Sequence, residues 1–567
     1  MKISTSASDA YNESDFLRRT WRISCGMRCC LALALFFGAS VAARANPVIH
    51  SWPFGEGQAV RSDRYAVFVS TGHGTERPVD VVMSTALHEG DYRAKELAGR
   101  TFSFAAVDID PSAGPLNFRV VKLRGPSATS VEVQPSRLNL RPELLDGREV
   151  RFAVPQGPAY VSVCFEGPES RTPAAKWIKH MFCLFVGTPE HDRPVPGTDG
   201  AVAYGPRVDS EKLRSARIIL FESGYHDLRG FVGKSGPVRD GVLQLASGQG
   251  AYLSSGAFVD GLISTSNPAK DVGQSLRGRG ILSGRRFPWY GVSGYQGPRH
   301  QEIVRLGQKA RFEGVVVMES PAHGLVSGNR SVAHEVKYLG WHCNNDAMRF
   351  DPGSEVSGCF LRAVDDFFYA FELRVRDCVL WPGHNGAVLT FGWGGGPGDR
   401  TYHAGATTLE RLDLIHPEWT DLGNNNGLVA AQVGYDFKPH AYGRDCRTLI
   451  RDVRIDGDVP GLLNLKPRAG DVPAGYPPKV SAAALGHLGD ITLENISVRG
   501  IKGRGLIKGA ISAVLDDERP FMVKDVRFID LYVGGEPVDE TNASRYFEID
   551  AATTEGVRFE TKARPGR

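Results

Sequence analysis

The chain has 567 residues, 42% of them hydrophobic and 23% charged, the balance of a folded protein with room for several domains. The net charge is only +3, so no basic stripe points to nucleic acid and an uncharged polymer is an admissible partner. With 66 glycines and 34 prolines, a turn-rich β protein is favoured over a helical bundle.

The N-terminus reads as a targeting segment. Arg18-Arg19, Arg22 and Arg28 form a positive region, Leu31 to Ala43 is a short apolar run, and Ala43-Arg44-Ala45 has the small-x-small form of a cleavage site. The run is shorter than the roughly 20 residues that a membrane-spanning helix needs. Residues 1–45 are therefore expected to be a signal peptide with an N-terminal extension, cut after Ala45. The mature chain would be secreted or periplasmic, with no membrane attachment. The polar stretch before Met27 is long for a leader, and a start at Met27 would leave a compact one.

Residues 46–186 are expected to form a β-sandwich. Runs such as Tyr65–Val69, Phe118–Leu123, Arg151–Val154 and Tyr160–Cys164 are short, partly alternating and separated by turn residues. Asp108 and Asp110 lack the loop a calcium site needs and read as part of a solvated turn. Residues 187–215 begin with a stretch rich in Pro, Gly and Asp, and read as a linker.

From 216 to 567, short β runs recur without a long amphipathic helix between them. Leu373–Leu380, Leu409–Ile415, Ile450–Ile455, Leu493–Val498 and Val523–Ile529 share a loose polar–apolar form at drifting spacing. A single strand cannot bury its own apolar face, whereas stacked equivalent strands bury a continuous core. The expected architecture is all-β: an N-terminal β-sandwich followed by a right-handed parallel β-helix. Outside the leader there are six cysteines, Cys164, Cys183, Cys343, Cys359, Cys378 and Cys446. They read equally as buried small residues or as disulfide partners. No CxxC or HExxH motif supports a metal site, and no cofactor is expected.

Within the β-helix region, Trp341 to Trp393 holds three conspicuous carboxylates: Asp346 in Asn344-Asn345-Asp346, and the pair Asp365-Asp366. Asp is depleted in strands and adjacent carboxylates repel, so the pair needs a reason. The succession Gly278-Arg279-Gly280-Ile281-Leu282-Ser283-Gly284, Asn345-Asp346, Asp365-Asp366 and Phe391-Gly392-Trp393 resembles the polysaccharide-hydrolysing β-helix enzymes. The better match is glycoside hydrolase family 49, the dextranase and isopullulanase family. Polygalacturonases are the lesser match: Pro382-Gly383-His384-Asn385-Gly386 only partly follows their Gly-His-Gly, and their Arg-x-Lys is missing. The chain also departs from the usual pattern at Ala347 and Val364, where glycine is common.

The resemblance implies an endo-acting, inverting hydrolase of a neutral α-glucan, dextran or a pullulan-type polymer. Such chemistry needs a protonated carboxyl for the leaving oxygen and an ionised one to activate water. The family pattern makes Asp365 the acid and leaves Asp346 and Asp366 as candidate bases. If 19 residues make one turn of the helix, Asp346 and Asp365 lie on neighbouring turns, about 4.8 Å apart along the stack. Both Asp365 and Asp366 face one groove only if the chain bends there. Trp393, Trp341, Trp381, Trp289 and Tyr290 are expected to stack on sugar rings, and His384 and Asn385 to contact sugar hydroxyls. The alternatives are a polygalacturonase-like hydrolase of an acidic polysaccharide, a non-catalytic carbohydrate-binding β-helix and, more remotely, a polysaccharide lyase.

Overall fold

The computed structural model describes residues 46–562 apart from 73, 87–96, 111–113, 155–156, 234–235, 293–298, 371, 392–405, 424, 432–446, 467–486, 510–519 and 521. The expected leader, Trp393 and Cys446 lie outside the described residues.

The N-terminal part is two packed sheets. In one, strands Tyr65–Thr71, Leu116–Lys122 and Glu149–Val154 pair antiparallel. Their alternation places Val67, Val69, Phe118, Val120, Val150 and Phe152 inward. In the other, Thr101–Asp108 runs parallel to His180–Gly187, which pairs antiparallel with Ala159–Glu166. This second sheet is buried on both faces. Phe182, Leu184 and Val186 meet the first sheet, while Met181, Cys183 and Phe185 point the other way, onto the β-helix.

The β-helix begins at Ala201–Ala203, which pairs in parallel with Ile218–Phe221. That strand and the helix Ser210–Ser215 fall inside the stretch expected to be a linker. Asp209 caps the helix by accepting from the amides of Glu211 and Lys212, and the helix buries Leu213 against the first turn.

Strand Gly224–Asp227 begins a ladder continued by Ala257–Asp260, Ile281–Ser283, Val316–Met318, Lys337–Leu339, Phe360–Ala363 and Val379–Pro382, all parallel. Later turns fuse two faces into longer bent strands, Thr407–Ile415, Thr448–Val459, Leu488–Ile501 and Val523–Val533. The bend has a local cause. In all five of the recurring runs a central polar residue, Asp377, Arg411, Asp452, Asn495 or Asp525, takes the left-handed conformation. Asp and Asn tolerate it at a modest cost.

An apolar seam joins the two parts. Trp52, Val82, Phe102, Phe104, Tyr160 and Phe185 of the sandwich pack on Phe258, Ile281, Val316, Trp341, Phe360 and Trp381 of the β-helix. Buried charges clamp it. Arg100 donates to both oxygens of Glu418 at 2.5 and 3.1 Å, and Arg362 reaches the same carboxylate at 3.3 Å. Asp108 is not solvated as expected: it is buried, 3.0 Å from Arg279 and 3.4 Å from His50. The GRGILSG run thus serves partly as a docking point, with Arg279 also reaching Glu335 at 3.5 Å.

Candidate active site

Three successive turns build the site, each at the corner where a strand of the ladder turns into the next face. Asp346 lies between Lys337–Leu339 and Met348–Phe350, and Asp365-Asp366 between Phe360–Ala363 and Phe368–Tyr369. His384 and Asn385 lie between Val379–Pro382 and Ala387–Phe391. The leading strands pair directly, so Asp346, Asp365 and Asn385 occupy consecutive turns. The amide of Ala347 donates to the carbonyl of Asp366 at 2.9 Å, and that of Phe367 to Ala387 at 2.9 Å. The chain leaves the sheet between Ala363 and Phe368, and there the two adjacent aspartates escape strict strand alternation.

Local packing explains the shape of the corner. Asn345 is fully buried and closes the first turn: its Oδ1 accepts from the amides of Trp341 and His342 at 2.7 and 2.8 Å. Its Nδ2 donates to the carbonyls of Ala322 and Ser320 at 2.7 and 3.2 Å. Gly386 passes beneath the aspartate pair with φ +83°, and a Cβ there would lie 2.0 Å from the carbonyl carbon of Asp365. Ala347 and Val364, the two departures, are both buried in packed surroundings. The space Val364 needs comes from Gly383 one turn on, where a Cβ would meet Val364 Cα at 2.8 Å.

Each carboxylate has its own partners. Asp346 accepts from the Tyr369 hydroxyl and has His323 Nε2 at 3.8 Å. Asp365, partly buried, accepts at Oδ2 from the amide of Asn344 and from Asn385 Nδ2, both at 2.8 Å. Asp366, fully buried, accepts from the amide of Ala387 at 2.8 Å and from Asn425 Nδ2 at 2.5 Å. Burial, then the charge of Asp346, pushes the Asp365 carboxyl up to about 7. Burial and the charges of Asp365 and Asp346 push Asp366 well above the usual carboxylate range. Three carboxylates this close cannot all ionise cheaply, so the corner stores a proton near neutral pH.

The other expected contact residues divide. Asn385 touches Asp365. His384 is buried beneath it, stacked on Trp177 of the sandwich at 5.0 Å and 3.4 Å from Cys343 Sγ. Trp341 and Trp381 do not face a groove: both are 1% exposed in the seam with the sandwich. Their indole nitrogens bond Ser84 Oγ at 2.9 Å and Glu418 Oε1 at 3.3 Å. Trp289 is buried too, donating to the carbonyl of Cys343 at 2.8 Å. These tryptophans bracket the motif because they anchor its turns, and buried rings cannot stack on sugar. Tyr290, 40% exposed, remains open for such contact.

Sequence reasoning missed Tyr369, His323, Asn344 and Asn425. The run Asn424-Asn425-Asn426 was a signal for the last, since consecutive amides in an apolar setting need partners. Asn425 Nδ2 also reaches Thr390 Oγ1 at 3.2 Å. The five described cysteines are all buried. Among the described residues, the group whose ligand atoms lie close enough to hold a metal is His487, Asp490 and Asp525, on C-terminal turns away from the aspartate cluster.

No protein-family profile matches the chain. It is 23% identical to an isopullulanase of Aspergillus niger over 474 residues, 76% of this chain and 78% of that one. It is 24% identical to a dextranase of Arthrobacter sp. (strain CB-8) over 392 residues, 60% of this chain and 59% of that one. In structure it is similar to Dex49A from Penicillium minioluteum, with a TM-score of 0.67 at 15% identity, over 91% of this chain and 96% of that one.

Proposed function

We propose that this chain, a glycoside hydrolase of the dextranase and isopullulanase type on a parallel β-helix, is an exported endo-acting enzyme that cleaves an α-glucan with inversion. One observation carries the reading: three carboxylates on two adjacent turns, one of them held up at about 7. The relatives, an isopullulanase and a dextranase, support an α-glucan as the substrate class, and dextran α-1,6 or pullulan-type linkages are the ones this reading assigns.

In this reading Asp365 is the general acid. Its raised affinity for a proton keeps it protonated below neutral pH, and its partly exposed position lets it reach the leaving glycosidic oxygen. Water must be activated from the opposite face of the sugar by an ionised carboxylate. Asp346 suits that role better than Asp366. Asp346 has a phenol donor and an imidazole beside it, whereas burial and neighbouring carboxylates push Asp366 toward its neutral form. Asn344 and Asn385 orient the acid.

The test is reducing-end release from dextran, pullulan and polygalacturonate. Wild type is expected to cut one of the glucans, and Asp365→Asn to lose at least about 100-fold. Equal release by both would overturn the role of Asp365. The anomeric form of the first product, read by NMR, tests inversion. A second reading, an acidic polysaccharide, draws on His323 beside Asp346 and on Arg349, whose guanidinium lies 5.6 Å from the Tyr369 ring centre. Release from polygalacturonate alone would favour it. Among the described residues no helix is long and apolar enough to cross a membrane. Export rests on the 1–45 leader pattern.

A further inference from the structure

Of the three carboxylates, Asp346 is the one held by another side chain's ionisable hydroxyl. Tyr369 stands one turn further along, on strand Phe368–Tyr369, and its hydroxyl donates to Asp346 Oδ2. The ring is buried at 5% exposure, in register with Thr390 of the next turn. A buried tyrosine hydroxyl needs a partner, and a carboxylate is a strong one.

We propose that Tyr369 is a positioning residue for hydrolysis, holding Asp346 in the orientation from which it activates water. This rests on the hydrolase reading above. The groups that face Asp346 make the contact consequential. From the preceding turn comes His323, and from its own turn Tyr338 and Arg349, whose guanidinium lies against the Tyr369 ring. From the following turn come the carboxyl groups of Asp365 and Asp366, both of which respond to the charge of Asp346. Without the phenol, Asp346 would lose the hydrogen bond that holds its Oδ2. Burial and the charge of Asp346 raise the phenol well above its ordinary range, so it stays protonated and keeps donating.

Tyr369→Phe keeps the ring and removes one hydroxyl. Its thermal midpoint is expected to stay close to wild type. The acidic limb of its kcat/KM profile is expected to move up by about one pH unit, with kcat down about 10-fold to 100-fold and KM within about twofold. A purely structural tyrosine would leave that limb in place. The same shift is expected in a measurement that needs no substrate: the Asp346 side-chain carboxyl resonance, identified by its loss in Asp346→Asn, titrated in wild type and in Tyr369→Phe. An unmoved limb together with an unmoved titration would overturn the role of Tyr369 while Asp365→Asn still upheld the hydrolase. Failure of wild type to cut any polymer would overturn the hydrolase reading and the catalytic role of Tyr369 with it.

Discussion

Asp365 shows how one residue couples stability to pH. Its carboxyl sits at about 7 in the fold, against about 4 in an unfolded chain. A raised group contributes stability that is complete below the unfolded value and is lost as pH rises through the folded one. The folded protein is therefore expected to weaken between pH about 4 and 7. Asp365→Asn should remove that slope and be more stable than wild type at pH 8, by roughly 1–3 kcal/mol in urea unfolding. An unaltered slope would contradict the burial of this carboxyl. The residue was legible in advance because two adjacent aspartates in an apolar setting are costly. Its partners were not: Asn344 donates through its backbone, and the amide side chains of Asn385 and Asn425 converge on the pair from later turns.

At the scale of an element, the corner made by Ser320 to Asp346 depends on Asn345. It makes four hydrogen bonds while fully buried. Asn345→Ala strands two carbonyls and two amides, and is expected to cost about 2–4 kcal/mol and to displace Asp346. Melting and activity should fall together; a fall in stability with full activity would separate the turn from the site. Gly386→Ala is expected to be harsher, since the new Cβ meets backbone rather than a movable side chain and the φ is left-handed. The repeating runs were readable as strands because their apolar positions alternate. That their central polar residues bend the chain was not, since Arg411 serves in the same place as Asp452 and Asn495.

At the scale of the molecule, the sandwich is a wall of the β-helix. Glu418 sits between Arg100 of the sandwich and Arg362 of the β-helix, and both arginines are buried. Glu418→Ala would leave two buried cations without their counter-charge and is expected to cost about 3–5 kcal/mol in chemical unfolding. A fragment starting at Ala201 would expose Phe258, Ile281, Val316, Phe360 and Trp381. It is expected to elute as aggregate in size-exclusion chromatography, and a monodisperse fragment would show the seam to be dispensable.

Sequence alone determined the all-β class, the solenoid and the aspartates worth watching. These depend on local periodicity and on the cost of placing like charges together, and both are written in neighbouring residues. Tertiary structure decided the roles of the aromatics and of the GRGILSG run. Trp341 and Trp381 read as groove walls by their position beside the motif, yet they anchor the seam. Which face of a strand meets solvent depends on what packs there, and here that is a sheet assembled more than 200 residues earlier in the chain, as the Trp341–Ser84 bond shows. The convergence of Tyr369 on Asp346 has the same origin: stacking brings residues on successive turns into contact, and no spacing rule within one turn records it.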